Sequence, residues 1–135
     1  MTSGITALNR VRPDAGRALD DALEKAYAAC PGRLLELCRA RVHTVLGGQV
    51  TDNDPSLRAV ADYTRSELFS DTERIALEFA EEYIFDVANT PDDLVAVLRQ
   101  RLGDEGLYGL VMGLYAIDQA ERLDVSAAVH PAVAR

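Results

Sequence analysis

The chain has 135 residues, 48% hydrophobic and 27% charged, with 22 Asp and Glu against 14 Lys and Arg and a formal charge of −8. A chain of this size can bury a core without a metal or disulfide staple and leaves no room for a second domain, so residues 1–135 are expected to form one domain. The acidic balance and the lack of a basic run argue against nucleic-acid or anionic-membrane partners, because both are bound largely through Lys and Arg.

Hydrophobic residues recur at three- and four-residue steps, and Gly, Pro and Asn fall between the periodic stretches, which predicts an all-α bundle of five to six helices. Residues 1–13 are expected to be a loosely ordered arm. Pro13-Asp14 opens a helix with Ala18, Leu19, Ala22, Leu23, Ala26 and Tyr27 on one side, ending near Cys30. Pro31 suits the first turn of the next helix, which carries Leu34, Leu35, Leu37, Cys38, Val42, Val45 and Leu46 and stops at Gly47-Gly48.

After a polar loop, Asp54-Pro55 starts a shorter helix through Leu57, Val60, Ala61 and Thr64. Ser70-Asp71-Thr72-Glu73 has the form of a capping box before Ile75, Ala76, Phe79, Ala80 and Tyr83. Thr90-Pro91-Asp92-Asp93 begins a helix through Leu94, Val97, Leu98 and Leu102, and Gly103-Asp104 separates it from a long helix running to about Val125. Residues 129–135 are expected to be a loose tail, with His130 poorly placed for catalysis.

No stretch of about 18 apolar residues occurs and the N-terminus lacks an apolar core of the signal-peptide kind, so a cytoplasmic protein is expected. Cys30 and Cys38 form neither a CxxC pair nor a disulfide framework and read as free, packed thiols. With His43 and His130 the only histidines, no set of metal-ligand spacing is present, and no metal or cofactor is expected.

Two helices carry candidate chemistry. Glu36 and His43 project from one face about 10 Å apart, with Arg39 beside them. A carboxylate and an imidazole so placed can flank a small substrate as base and acid; the alternative is a solvated stripe with a Glu36–Arg39 pair. On the last helix, Asp118 and Glu121 interrupt the apolar stripe of Leu107, Leu110, Val111 and Leu114. Each must be solvated, paired with an arginine such as Arg122, or held protonated. Gly106, Gly109, Gly113, Ala116 and Ala120 form a small-residue stripe suited to close helix packing, within a subunit or between subunits. Tyr108, Met112 and Tyr115 line a third face, as core edge or as ligand contacts.

Three segments in order, Leu34-Leu35-Glu36-Leu37-Cys38-Arg39-Ala40-Arg41-Val42, Ser66-Glu67-Leu68-Phe69-Ser70-Asp71-Thr72-Glu73-Arg74-Ile75-Ala76-Leu77 and Ala116-Ile117-Asp118-Gln119-Ala120-Glu121-Arg122-Leu123, resemble the carboxymuconolactone decarboxylase and alkylhydroperoxidase D-like (AhpD-like) family. The resemblance implies an AhpD-like helical bundle and homo-oligomers, as dimers, trimers or hexamers, with the glycine and alanine stripe a plausible seam. Redox members of the family carry a Cys-x-x-Cys pair where this chain has Gly48 and Thr51. Their motif histidines fall on Val50 and Pro55, so thiol peroxidase activity is not expected.

The resulting expectation is a cysteine-less, non-redox enzyme performing decarboxylation, isomerisation or cyclisation on a carbonyl- or carboxylate-bearing metabolite. Glu36, His43, Asp118 and Glu121 are its candidate acids and bases, with Arg39 as substrate anchor and Tyr115 as orienting hydroxyl. The alternative is a non-catalytic oligomeric scaffold or ligand-binding protein that kept the fold, with Asp118 and Glu121 exposed or in inter-subunit salt bridges.

Overall fold

The computed structural model describes residues 8–129; residues 130–135 of the expected tail, His130 among them, and residues 1–7 of the expected arm lie outside these, while Val129 ends a helix and residues 8–11 and Pro13 are helical where a loose arm was expected. The described residues contain helices and no strand. After a helical turn at 8–11, α1 runs Pro13–Ala29, α2 Gly32–Val45, α3 Pro55–Ala59, α4 Asp71–Asp86 and α5 Asp92–Val129. Gly103 (φ 74°, ψ 173°) breaks α5 in two, so the described residues hold six helices with the break counted and the initial turn left out, an all-α fold as the periodicity predicts.

Local chemistry sets the boundaries. Ser70 and Glu73 exchange the two bonds of a capping box, Glu73 N–H donating to Ser70 Oγ at 3.1 Å and Ser70 N–H to Glu73 Oε1 at 2.8 Å. α2 closes in a Schellman motif, with Gly47 at φ 93°, its N–H on the Thr44 carbonyl and the Gly48 N–H on the His43 carbonyl. Pro31 stands just outside α2, its carbonyl accepting from Leu34 and Leu35 N–H groups.

One expected helix is shorter than its periodicity. Instead of continuing to Thr64, α3 gives way at Val60 to a 3-10 segment, Val60–Arg65, with Asp62 at a non-helical φ −131°, ψ 47°. Arginines take the carbonyls that a longer helix would bond internally. Arg41 donates to Val60 and Ala61, and Arg74 to Tyr63, Thr64 and Ser66. Arg41 also pairs with Glu81, which accepts from the Tyr63 hydroxyl at 3.2 Å, so this cluster ties α2, the 3-10 segment and α4 together.

The main core gathers Leu23 and Ala26 of α1, Leu34, Leu35, Cys38 and Val42 of α2, Ala76, Phe79 and Ala80 of α4, and Leu98, Leu110, Leu114 and Ile117 of α5. A smaller cluster of Leu37, Ala40, Val60, Tyr63, Phe69 and Leu77 lies under the 3-10 segment. Glycines let α5 approach α1 and α2: a Cβ at Gly109 would stand 2.8 Å from Ala29 Cβ of α1, and one at Gly113 2.7 Å from Leu35 Cδ2 of α2. The glycines of the small-residue stripe are therefore used within the chain.

Both cysteines are free and buried. The Cys38 thiol donates to the Ala76 carbonyl at 3.6 Å. Burial pushes the Cys30 thiol up to about 11 and Cys38 higher still, the environment of inert packed thiols.

Candidate functional site

Arg39 and His43 are one helical turn apart on α2, so their side chains leave the same side of the helix. The C-terminal part of α5 crosses that side and brings Glu121 between them. Arg39 Nε donates to Glu121 Oε1 at 2.9 Å, and His43 Nδ1 lies 2.7 Å from Glu121 Oε2. The carboxylate is 0% exposed, while the Arg39 and His43 side chains keep 16% and 17%. Each carboxylate oxygen thus has its own donor, which is how a fully buried charge is made tolerable.

Neighbours extend the cluster on both sides. The Tyr27 phenol of α1 stands close enough to Arg39 for each to act on the other's charge. Burial pushes that phenol above its usual range, against the pull of the guanidinium. Burial works against the charge on Arg39, but the hydrogen bond and charge of Glu121 outweigh it, and the guanidinium pKa lies above its ordinary value. Asp124, one turn beyond Glu121, is buried as well.

The far edge of the imidazole faces Gly48. The Schellman bond from Gly48 N–H to the His43 carbonyl folds the chain back over the ring, where a Cβ at Gly48 would stand 2.3 Å from His43 Nε2. Only a residue without a side chain fits against the ring at this place. With Nδ1–H donated to Glu121, a neutral ring carries its lone pair at Nε2, the nitrogen beside Gly48.

Of the six expected site residues, the structure brings three together: Arg39, His43 and Glu121. Glu36 lies two turns before His43, short of the reach of Glu121, and stays exposed 3.7 Å from Arg33. Arg33 itself is held by Asp54 at 2.9 Å, and this contact lowers the Asp54 pKa. Asp118 sits at the edge of α5 and accepts from Arg122 Nε at 2.8 Å. Tyr115 is exposed on another side of α5. His130 lies outside the described residues.

Tyr27 and Gly48 border the site and do not stand out in the sequence as its members. Tyr27 reads there as part of an apolar helix side and Gly48 as a helix stop. A signal did exist in the spacing of Arg39 and His43, which at four residues share a face more closely than Glu36 shares one with Arg39.

Two surface clefts lie elsewhere. One of about 700 Å3 surrounds Gly103 and Arg99, and one of about 430 Å3 lies between α1 and α5, with Tyr115 on its wall. Among the described residues, no group of three or more His, Cys, Asp and Glu is placed to hold a metal ion, and no helix is long and apolar enough to cross a membrane. No protein-family model matches the chain, and no curated protein matches it significantly.

Proposed function

We propose that this protein is a non-redox acid–base enzyme on an AhpD-like scaffold, acting on a small carbonyl- or carboxylate-bearing metabolite. The observation that carries the reading is the 2.7 Å contact between His43 Nδ1 and a carboxylate with no solvent exposure. Glu121 fixes the ring and its tautomer and stabilises the imidazolium that forms when Nε2 takes a proton. Arg39 holds the second carboxylate oxygen, so Glu121 cannot turn away. A proton removed next to a carbonyl and returned to a neighbouring atom gives isomerisation, and an imidazolium that protonates the enolate left by CO2 loss completes a decarboxylation.

The resemblance to the AhpD-like family adds a second support. The position that it matches to the first redox cysteine is Gly48, which lies against His43 Nε2, so the imidazole takes over the place of a thiol. Free, buried thiols suit a reducing cytoplasm, which is where we place the protein. The scaffold reading draws on the position of the large clefts away from His43. Against it, Glu121 is neither exposed nor left to a neighbouring subunit but is paired within the chain.

Two measurements test the enzyme reading. Long-range 1H–15N spectra should show neutral His43 protonated at Nδ1. Deuterium exchange into a panel of oxo acids and lactones in D2O should proceed with the native protein and fall by about 100-fold or more in His43→Gln. A ring protonated at Nε2, or exchange that is absent or equal in the two proteins, would sink the proposal.

A further inference from the structure

Two consecutive glycines follow the last turn of α2, and the turn itself needs one of them. Gly47 takes the left-handed conformation, φ 93°, that the Schellman stop calls for, whereas Gly48 has no positive φ. An alanine at 48 would meet no left-handed strain, and it would restrict the unfolded chain more than glycine does. The second glycine therefore answers to something packed against it, and that is the His43 ring.

The contact has a direction. A Cβ on Gly48 would stand 2.3 Å from His43 Nε2 and 2.5 Å from each of Cδ2 and Cε1. A point in the ring plane ahead of Nε2 would be much farther from the two carbons than from the nitrogen, because both ring bonds run backward from it. Near-equal distances place the point over the face of the ring. With a carbon–carbon bond of about 1.5 Å, the Gly48 Cα itself lies within about 3.8 Å of Nε2, which is van der Waals contact. The Gly48 N–H bond to the His43 carbonyl, at 2.9 Å, holds the glycine in this place. Glu121 meets the ring elsewhere, at its Nδ1 edge.

A histidine uses both kinds of contact to hold one orientation. The torsion that turns the ring about its Cβ–Cγ bond has broad wells, so it leaves the ring plane loose. One hydrogen bond fixes the place of Nδ1 but lets the plane rock about it, and a surface against the face removes that freedom. We propose that Gly48 is a positioning residue for His43: laid on one face of the imidazole, it sets the plane in which the Nε2 lone pair lies, while Glu121 sets the tautomer. Its effect on turnover rests on the acid–base reading of His43, since proton transfer needs an aligned lone pair; its effect on the ring does not.

Gly48→Ala tests the contact on the native background and on that of His43→Ala. With the ring present, the methyl should lower the urea midpoint and displace or abolish the Nδ1–H signal of neutral His43 in long-range 1H–15N spectra. For the oxo acid or lactone that the native protein labels in D2O, kcat should fall by between about 10- and 100-fold with little change in KM. With the ring removed, the same methyl should leave the midpoint unchanged or raise it. Equal losses on the two backgrounds, or failure of both Gly48→Ala proteins to fold, would mean that glycine serves something other than the ring and overturn the proposal. A folded Gly48→Ala that keeps the native His43 spectrum or the native kcat overturns it as well. Should the native protein label no substrate, the acid–base reading fails, and the spectra with the paired midpoints still decide whether Gly48 sets the ring.

Discussion

Glu121 is where fold and chemistry meet in one side chain. Its carboxylate is fully buried, and its two oxygens hold Arg39 and His43. Removing one partner of such a buried pair leaves the other charged without compensation, a loss of about 3–5 kcal/mol, whereas replacing both by apolar groups of similar volume is often close to neutral. Glu121→Leu is therefore expected to lower the urea midpoint strongly. The double variant Arg39→Met/Glu121→Leu should recover most of that loss, yet it should lack the Nδ1-protonated tautomer and the exchange activity that depend on the carboxylate. If the double variant is as unstable as the single, the stability of this region comes from something other than charge pairing. If it keeps the tautomer, Glu121 does not orient His43.

Helix α5 shows how a single element is made to serve several neighbours. Its glycines admit α1, its leucines fill the core, and its last turns deliver Glu121 to α2. The two close glycine contacts differ in kind. A methyl at Gly109 would meet Ala29 Cβ at 2.8 Å and backbone atoms of Ala29 and Cys30 at 3.1 Å, which cannot yield locally. One at Gly113 would meet the end of the Leu35 side chain at 2.7 Å, which has more room to adjust than a backbone, and the Ala26 methyl at 3.2 Å. Overpacking costs about 1–3 kcal/mol, and the helix propensity of alanine returns about 1 kcal/mol. Gly109→Ala should therefore lose about 1–2 kcal/mol in urea unfolding while Gly113→Ala stays near neutral; equal effects would show that the two contacts are equally soft. Elements of this kind were legible in the sequence where the signal is local. The Ser70–Glu73 box, the Gly47-Gly48 stop and the Gly103 break each lie within a few residues of the boundary that they set. The 3-10 segment after α3 was not legible, because arginines as distant in sequence as Arg41 and Arg74 decide it. Nor was the burial of Glu121: periodicity places it on a face, but its partner Arg39 is 82 residues away and only the crossing of two helices unites them.

At the scale of the whole molecule, the buried weak acids set an alkaline limit on the fold. Cys30 is pushed up to about 11 and Tyr63 up to about 12, both chiefly by burial, and Cys38 is raised further for the same reason. Because these folded-state values lie above those of the unfolded chain, the unfolded state releases its protons first as pH rises. The stability they protect is complete below the unfolded thiol value near 9 and drains away as pH climbs through the folded value of Cys30 near 11. Exposed carboxylates such as Asp54, lowered by the hydrogen bond from Arg33, act at the opposite end, where their contribution fades as pH falls below 3.8. The urea midpoint is thus expected to hold steady from neutral pH to about 9 and then decline. Cys30→Ala and Cys38→Ala should begin from a somewhat lower midpoint, having lost packed sulfur, but decline less steeply between about pH 9 and 11 because the alanine variants have one fewer group to deprotonate on unfolding. A native midpoint that is flat across that interval, or variants whose slopes match the native one, would show that the thiols reach solvent before the fold opens and that the core around Cys38 is looser than its packing against Ala76 requires.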